Sequence, residues 1–354
     1  MSNNLQLKQT MLSLAYTADL SANLTGNVQS ITAAIKPKIE CMLEHPSALK
    51  GEWKLVWGPV VYKFPHVMRA DNTMFVAQNA NNSSTYAVCI AGTNPKSISD
   101  WFAEDFSVLR QTAWPYDTPP ESLSPKISHG TSTGLSVLQH MQPLRGLPGA
   151  GLLLTHFLNK ELSKHSDGVT IYVTGHSLGG ALAPTTALWL TDSQGCSLLS
   201  GETCWDPEKK ATIKTYAFAV PTPGNHDFAS WMNTQLSGDK MVVVNNTIDI
   251  VPHAWNSQTL SEIPELYGAE YEPGLILRKA IEATGWFVKE LDYQEIGSGD
   301  QVQPIEGAIW TEPNPSDWSD IRFLTQAGYQ HVKAYPELLE LPDLLTIMGE
   351  CKNA

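Results

Sequence analysis

Little in this chain points to metal, membrane or nucleic acid. Its five cysteines (Cys41, Cys89, Cys196, Cys204 and Cys351) form no CxxC pair, which leaves zinc-knuckle and dithiol redox chemistry without a site. The odd count leans against a disulfide framework. Cys196 and Cys204 flank a short Ser/Gly/Glu loop and can bridge in an oxidising compartment, while Cys89 lies in an apolar stretch and is expected to pack as a small hydrophobe. Lys and Arg total 23 against 36 Asp and Glu, a formal charge of −13, and the basic residues are nowhere clustered. Such a surface repels nucleic acid and offers no polybasic patch to anionic lipid. The longest apolar stretches, 149–154 and 86–91, fall far short of the roughly 20 residues that span a bilayer, so no transmembrane segment is expected. The first residues, Met1 to Lys8, show no charged-then-apolar leader. The expectation is a cytoplasmic protein, or one exported by a route this sequence does not display. Acidic residues are dispersed, and neither a metal nor a cofactor is expected.

What is present is a strained-turn motif. Gly175-His176-Ser177-Leu178-Gly179-Gly180 contains G-x-S-x-G, the pattern of a serine held on a sharp strand-to-helix turn. Val169 to Thr174 leads in as a β-branched and aromatic strand, and Leu178, Ala181, Leu182 and Thr185 continue at helical spacing. A second match, Gly130-Thr131-Ser132-Thr133-Gly134, follows the polar, proline-broken stretch 121–128. Ser132 therefore reads as a helix-entry residue near an N-cap and not as a nucleophile.

A serine hydroxyl needs a base, a group to orient that base, and donors for an oxyanion. On this kind of sheet the chain order is serine, acid, histidine. Asp249 follows the apolar run Met241 to Val244 and is expected at a strand's carboxyl end, unlike Asp192, Asp206 and Asp239 in polar loops. His331 is the expected base. His253 is too close to Asp249 in sequence to face it and reach Ser177, and reads as a pocket-edge or packing residue. The oxyanion donors are expected to be the backbone N–H of Leu178 and that of Thr93, which follows the strand Tyr86 to Ala91. His176 is grouped with Ile98, Trp101 and Phe102 as a substrate- or lid-facing residue.

Strand-like segments alternate with helical ones after a strand-rich start, predicting an α/β fold with a mostly parallel central sheet and helices on both faces. Helices are expected over 5–20 and 31–43, with their apolar positions on the core. One domain is expected over 1–354, with an insertion near 256–318 containing an amphipathic helix through Leu275, Ile276, Ala280, Ile281, Ala283, Phe287 and Leu291.

These motifs resemble the class 3 (fungal-type) triacylglycerol lipases of the α/β-hydrolase fold. The resemblance rests on VTGHSLGGALA at 173–183, DIVPH at 249–253, Ala91-Gly92-Thr93 with Asp100-Trp101 beyond it, and His331 four residues before Tyr335. It implies a triad of Ser177, Asp249 and His331, an oxyanion hole at Thr93 and Leu178, and a helical lid near 94–107. His129-Gly130 is similar to a His-Gly that precedes a helix in the family, which further demotes Ser132. The chain departs from the family in having Ala91 where arginine is usual and Pro184 inside the post-elbow helix. The implied activity is hydrolysis of a lipid ester at a lipid–water interface without metal or cofactor. Phospholipid and soluble or aromatic acid esters are the nearest alternatives, and a non-catalytic lipase-like binding protein the more distant one.

Overall fold

The computed structural model describes residues 3–63, 70–92, 106–116, 119–196, 204–313 and 315–353. Among the described residues eight strands are present: β1 (Trp53–Tyr62), β2 (Asn72–Asn79), β3 (Thr85–Ile90), β4 (Gln111–Ala113), β5 (Lys126–Ser128), β6 (Val169–His176), β7 (Ala211–Phe218) and β8 (Met241–Val244). Six form one sheet in the order β1-β2-β3-β6-β7-β8, and β4 and β5 make a separate short ribbon. The pairs β1–β2 and β2–β3 are antiparallel; β3–β6, β6–β7 and β7–β8 are parallel. The parallel half puts the carboxyl ends of β3, β6 and β7 side by side, with Ile90 opposite Gly175 and His176 opposite Phe218. This crevice is where open α/β sheets bind ligands.

Helices cover both faces. On one side α1 (Asn3–Ala18), α2 (Val28–Glu44) and α11 (Leu344–Cys351) bury a cluster that includes Met11, Ile35, Phe75 and Phe218. The opposite side is covered by α3 (His129–His140), α4 (Leu154–Leu162), α5 (Leu178–Asp192) and α6 (His226–Gln235), around Trp57, Leu182, Leu188 and Phe228. The N-terminal helices thus pack on the core as their periodicity predicts. Side-chain caps set several helix starts. Asn27, Ser128 and Asn225 accept the N–H groups of Ser30, Thr131 and Phe228, relieving amides that have no partner in a first turn. Helix α5 runs through Pro184 unbroken. Every residue from Gly179 to Leu190 is buried, and this packing outweighs the local penalty of proline.

Two sequence expectations need correction. The cysteines do form a disulfide, Cys41–Cys351, which ties α2 to α11 across a separation of 310 residues; Cys204 is disulfide-bonded too. In the stretch 256–318, α7 (Ser257–Glu262) and α8 (Leu275–Val288) are present, and the expected amphipathic helix forms, but only part of its expected apolar set is buried. Ile281 and Val288 enter a third apolar cluster, whereas Leu275, Ile276 and Phe287 are exposed. That cluster also holds Ile250 and Val251 at the acid loop and Phe323 and Ala327 of α9 (Ser319–Gly328). The predicted lid residues 94–105, with Ile98, Trp101 and Phe102, and the oxyanion residue Thr93 lie outside the described residues. The chain resumes in a 3-10 turn at Phe106–Leu109.

Candidate active site

The motif's glycines are explained by close backbone approach. A Cβ on Gly175 would lie 2.2 Å from the Gly179 carbonyl oxygen, one on Gly179 2.4 Å from that of Ile90, and one on Gly180 2.3 Å from that of Phe218. Any side chain there would push α5 off the sheet. Ser177 itself has φ 61° and ψ −128°, a region that non-glycine residues enter only when their surroundings over-determine it. The turn ends β6 and begins α5 in one residue. It places the N–H of Leu178, without an intrahelical acceptor, at the positive end of the helix beside the serine.

Asp249 is held in the loop after β8 and is fully buried. Its Oδ1 accepts the Val251 N–H at 3.0 Å, and its Oδ2 accepts from His331 Nδ1 and from the Tyr335 hydroxyl, each at 2.9 Å. Burial alone would raise this carboxyl. The charge and hydrogen bond of His331, with the bonds from Val251 and Tyr335, outweigh it and hold the group below the usual carboxylate range. Burial and the Asp249 charge push the Tyr335 hydroxyl well up, so it remains a donor at neutral pH.

His331 sits on a π-helical turn, Tyr329–Lys333, between α9 and α10 (Ala334–Leu338). Such single π turns widen a helix locally and recur at functional sites. The turn is pinned to the acid loop by Asn246, whose side-chain amide donates to the Gln330 carbonyl at 3.1 Å and to its Oε1 at 2.8 Å. With Nδ1 on Asp249, the other ring nitrogen, Nε2, lies 2.8 Å from Ser177 Oγ. In that tautomer Nδ1–H donates to the carboxylate and Nε2 accepts the serine O–H. The chemistry open to this line of groups is transfer of the serine proton to the imidazole as the oxygen attacks an electrophile.

A further set of contacts ties the N-terminal segment to this line. His176, buried after Gly175, donates from Nε2 to the His331 carbonyl at 2.8 Å, while its Nδ1 lies 3.6 Å from Asp19 Oδ2. Asp19 Oδ1 accepts the Gly92 N–H at 2.7 Å. Gly92 abuts the elbow: a Cβ there would meet the His176 carbonyl at 2.6 Å and Ser177 Cβ at 3.1 Å. The position before Thr93 is therefore in contact with the serine turn. Tyr16 donates to the Val332 carbonyl at 2.8 Å.

A cavity of about 150 Å³ borders the site, with Ser177, His176, His331, Asp19 and Met348 in its wall. A larger depression of about 570 Å³, near Tyr216, Asp239 and Gln301, lies toward the amino ends of β7 and β8, away from the serine. His253 is turned elsewhere, its Nδ1 3.7 Å from Glu262. Ser132 is in the first turn of α3, which Ser128 caps. Gly134 is needed where a Cβ would meet Leu182 at 2.9 Å, so the second G-x-S-x-G is a helix-packing feature. Among the described residues no group of three or more His, Cys, Asp or Glu is arranged to hold a metal ion.

Comparison with known proteins gives the family. The family model for lipase (class 3) matches residues 87–259. The crystal structure of M37 lipase aligns at 36% identity over 97% of each chain, with a TM-score of 0.83. The chain belongs to the class 3 lipases. It is a carboxylic ester hydrolase of the α/β-hydrolase fold. Lipase II from Rhizopus niveus is more distant, at 17% identity over 73% of this chain and 77% of that one, with a TM-score of 0.49. No curated protein sequence matches. No helix among the described residues of this lipase is long and apolar enough to cross a membrane.

Sequence reasoning missed Asp19, Tyr16, Asn246, Gln330 and Tyr335. The first two precede the elbow by more than 150 residues, and only the fold of α1 over β6 brings them near. Tyr335 carried a local signal, standing four residues after His331, one helical turn on.

Proposed function

We propose that this lipase hydrolyses carboxylic esters through Ser177 as nucleophile, His331 as base and Asp249 as the group that orients it. The observation that carries this is the unbroken line Ser177 Oγ–His331 Nε2 at 2.8 Å and His331 Nδ1–Asp249 Oδ2 at 2.9 Å. As Oγ attacks the ester carbonyl, its proton passes to His331 Nε2, and Asp249 stabilises the resulting imidazolium. The N–H groups of Leu178 and Thr93 receive the oxyanion. His331 returns the proton to the departing alcohol, leaving an acyl group on Ser177. Water, deprotonated by the same imidazole, then releases the acid.

The substrate is proposed to be a triacylglycerol, with Ile98, Trp101 and Phe102 forming the apolar stripe of a lid at i, i+3 and i+4. Measuring the rate on a short triglyceride through its solubility limit tests this part. The expected result is a rise above that limit which Trp101→Ser weakens. A smooth saturation curve shared by both proteins would assign the enzyme to soluble esters.

A further inference from the structure

Among the described residues, six of the eight exposed large apolar side chains share one surface. Leu275, Ile276, Trp286 and Phe287 are on α8; Trp318 and Ile321 are at the start of α9. Ile276 is 84% exposed, Trp318 75% and Trp286 72%. Exposed apolar residues scattered singly need no explanation, but a contiguous patch marks an interaction site. Here Ile276, Ala283 and Phe287, with Trp286 alongside, fall on the outward side of α8 over about 16 Å of helix. The Gly274 N–H donates to Asp320 Oδ1 at 2.6 Å. This joins the start of α8 to the start of α9, so Trp318 and Ile321 extend the Ile276 end. The inward side of α8 is already packed through Ile281 and Val288.

The helix that carries this surface packs, on its inward side, toward the acid loop. Helix α8 shares its cluster with Ile250 and Val251, next to Asp249, and packs on the 3-10 turn 106–109. Its two cations each have a carboxylate partner: Arg278 is 3.2 Å from Glu272 and 3.9 Å from Glu265, and Lys279 is 2.5 Å from Glu282. On a chain of charge −13, such a face has no excess of cations to draw anionic headgroups. What it offers is aromatic and aliphatic area, which is stabilised on entering an apolar phase.

We propose that the outward face of α8 with the start of α9 seats this lipase on an uncharged or zwitterionic lipid surface, as a fixed platform separate from the segment predicted as a lid. The proposal rests on the lipid-ester reading above. Co-sedimentation of the Ser177→Ala protein with phosphatidylcholine vesicles tests it. Adding Trp286→Ser and Phe287→Ser is expected to weaken binding by about tenfold to a hundredfold, and phosphatidylglycerol in the vesicles should not strengthen it. Equal binding with and without the two substitutions overturns the proposal, as does binding that requires phosphatidylglycerol. A dimer in sedimentation velocity that the two substitutions dissociate would overturn it too, in favour of a second copy of the chain. With Ser177 intact, the substitutions should leave turnover of dissolved p-nitrophenyl acetate unchanged and slow turnover of tributyrin droplets. Vesicle binding by a protein that turns over dissolved p-nitrophenyl acetate but not tributyrin would refute the lipid-ester reading while sustaining the docking surface.

A second, independent observation concerns Asp19, which lies outside the residues that match the family model. Its carboxylate accepts the Gly92 N–H and stands beside His176, which holds the His331 carbonyl. We infer that Asp19 is a positioning residue that fixes the oxyanion loop against the elbow, granted the oxyanion role proposed for Thr93. Asp19→Ala should lower kcat by about tenfold to a hundredfold, the range for a lost hydrogen bond to a charged group, with KM little changed. Affinity for a boronic acid that mimics the tetrahedral intermediate should fall in parallel, while affinity for the product acid holds. Asp19→Asn, which keeps an oxygen acceptor, should recover most of kcat. A lowered melting temperature with kcat unchanged would overturn the inference, as would equal losses of boronate and product-acid affinity. A Ser177→Ala protein that still turns over would instead refute the triad.

Discussion

Replacing His331 with alanine should reduce kcat on a p-nitrophenyl ester by several orders of magnitude, and Ser177→Ala should do the same. Groups that act as one unit fail together, and loss of a nucleophile or its base elsewhere costs on the order of 10⁶. The reason here is geometric. Ser177 Oγ has His331 Nε2 at 2.8 Å, and removing that ring leaves the hydroxyl at its ordinary, weakly nucleophilic state. His253→Ala is the control: its Nδ1 lies by Glu262, and the variant should keep activity within a few fold. Steady-state kinetics with circular dichroism to check folding separates these outcomes. An inactive His253→Ala beside an active His331→Ala would mean that the base is misassigned.

Asp249→Asn should lower kcat by about 10⁴, because an amide facing Nδ1 favours the wrong imidazole tautomer and gives the imidazolium no counter-charge. The same substitution should alter the acid limb of stability. The Asp249 carboxyl is held below its ordinary value in the folded chain, so the unfolded chain binds its proton first as pH falls. The stabilisation is fully present above about pH 4, the ordinary carboxyl range, and is lost as pH falls through the folded value. Urea midpoints measured from neutral pH into acid should therefore fall less steeply for Asp249→Asn than for the wild type. Parallel curves would show that the Asp249 network contributes nothing to acid stability.

The elbow was legible because three local signals agreed: an apolar strand, glycines where backbones touch, and helical spacing beyond. The parallel sheet followed from the alternation of strand and helix patterns. That Ser177 follows the carboxyl end of a strand was readable from the strand-turn-helix pattern, whereas the pairing of β3 beside β6 came only with the fold. Other features depend on information that periodicity does not carry. The π turn at Tyr329–Lys333 differs from an α-helix by one residue in its hydrogen bonds, and no composition rule marks it. The Cys41–Cys351 bridge joins residues 310 apart, and an odd cysteine count argued the wrong way. The apolar positions of α8 span a broad arc, and spacing alone does not say which part of it the fold buries. Ile281 and Val288 went inward, leaving Ile276, Trp286 and Phe287 outside. Asp19 and Tyr16 reach the serine turn only because α1 crosses β6.

The nucleophile itself can be read directly by labelling the native enzyme with a fluorophosphonate and mapping the adduct by peptide mass spectrometry. Both G-x-S-x-G serines are present in one chain, so each serves as the other's control. Ser177 has a base at 2.8 Å, while Ser132 lies in the first turn of α3 beside a capping Ser128. The account predicts a stoichiometric adduct on the peptide containing Ser177, with loss of ester hydrolysis in step and none on the peptide containing Ser132. An adduct on Ser132, or full inactivation with Ser177 unmodified, would contradict it.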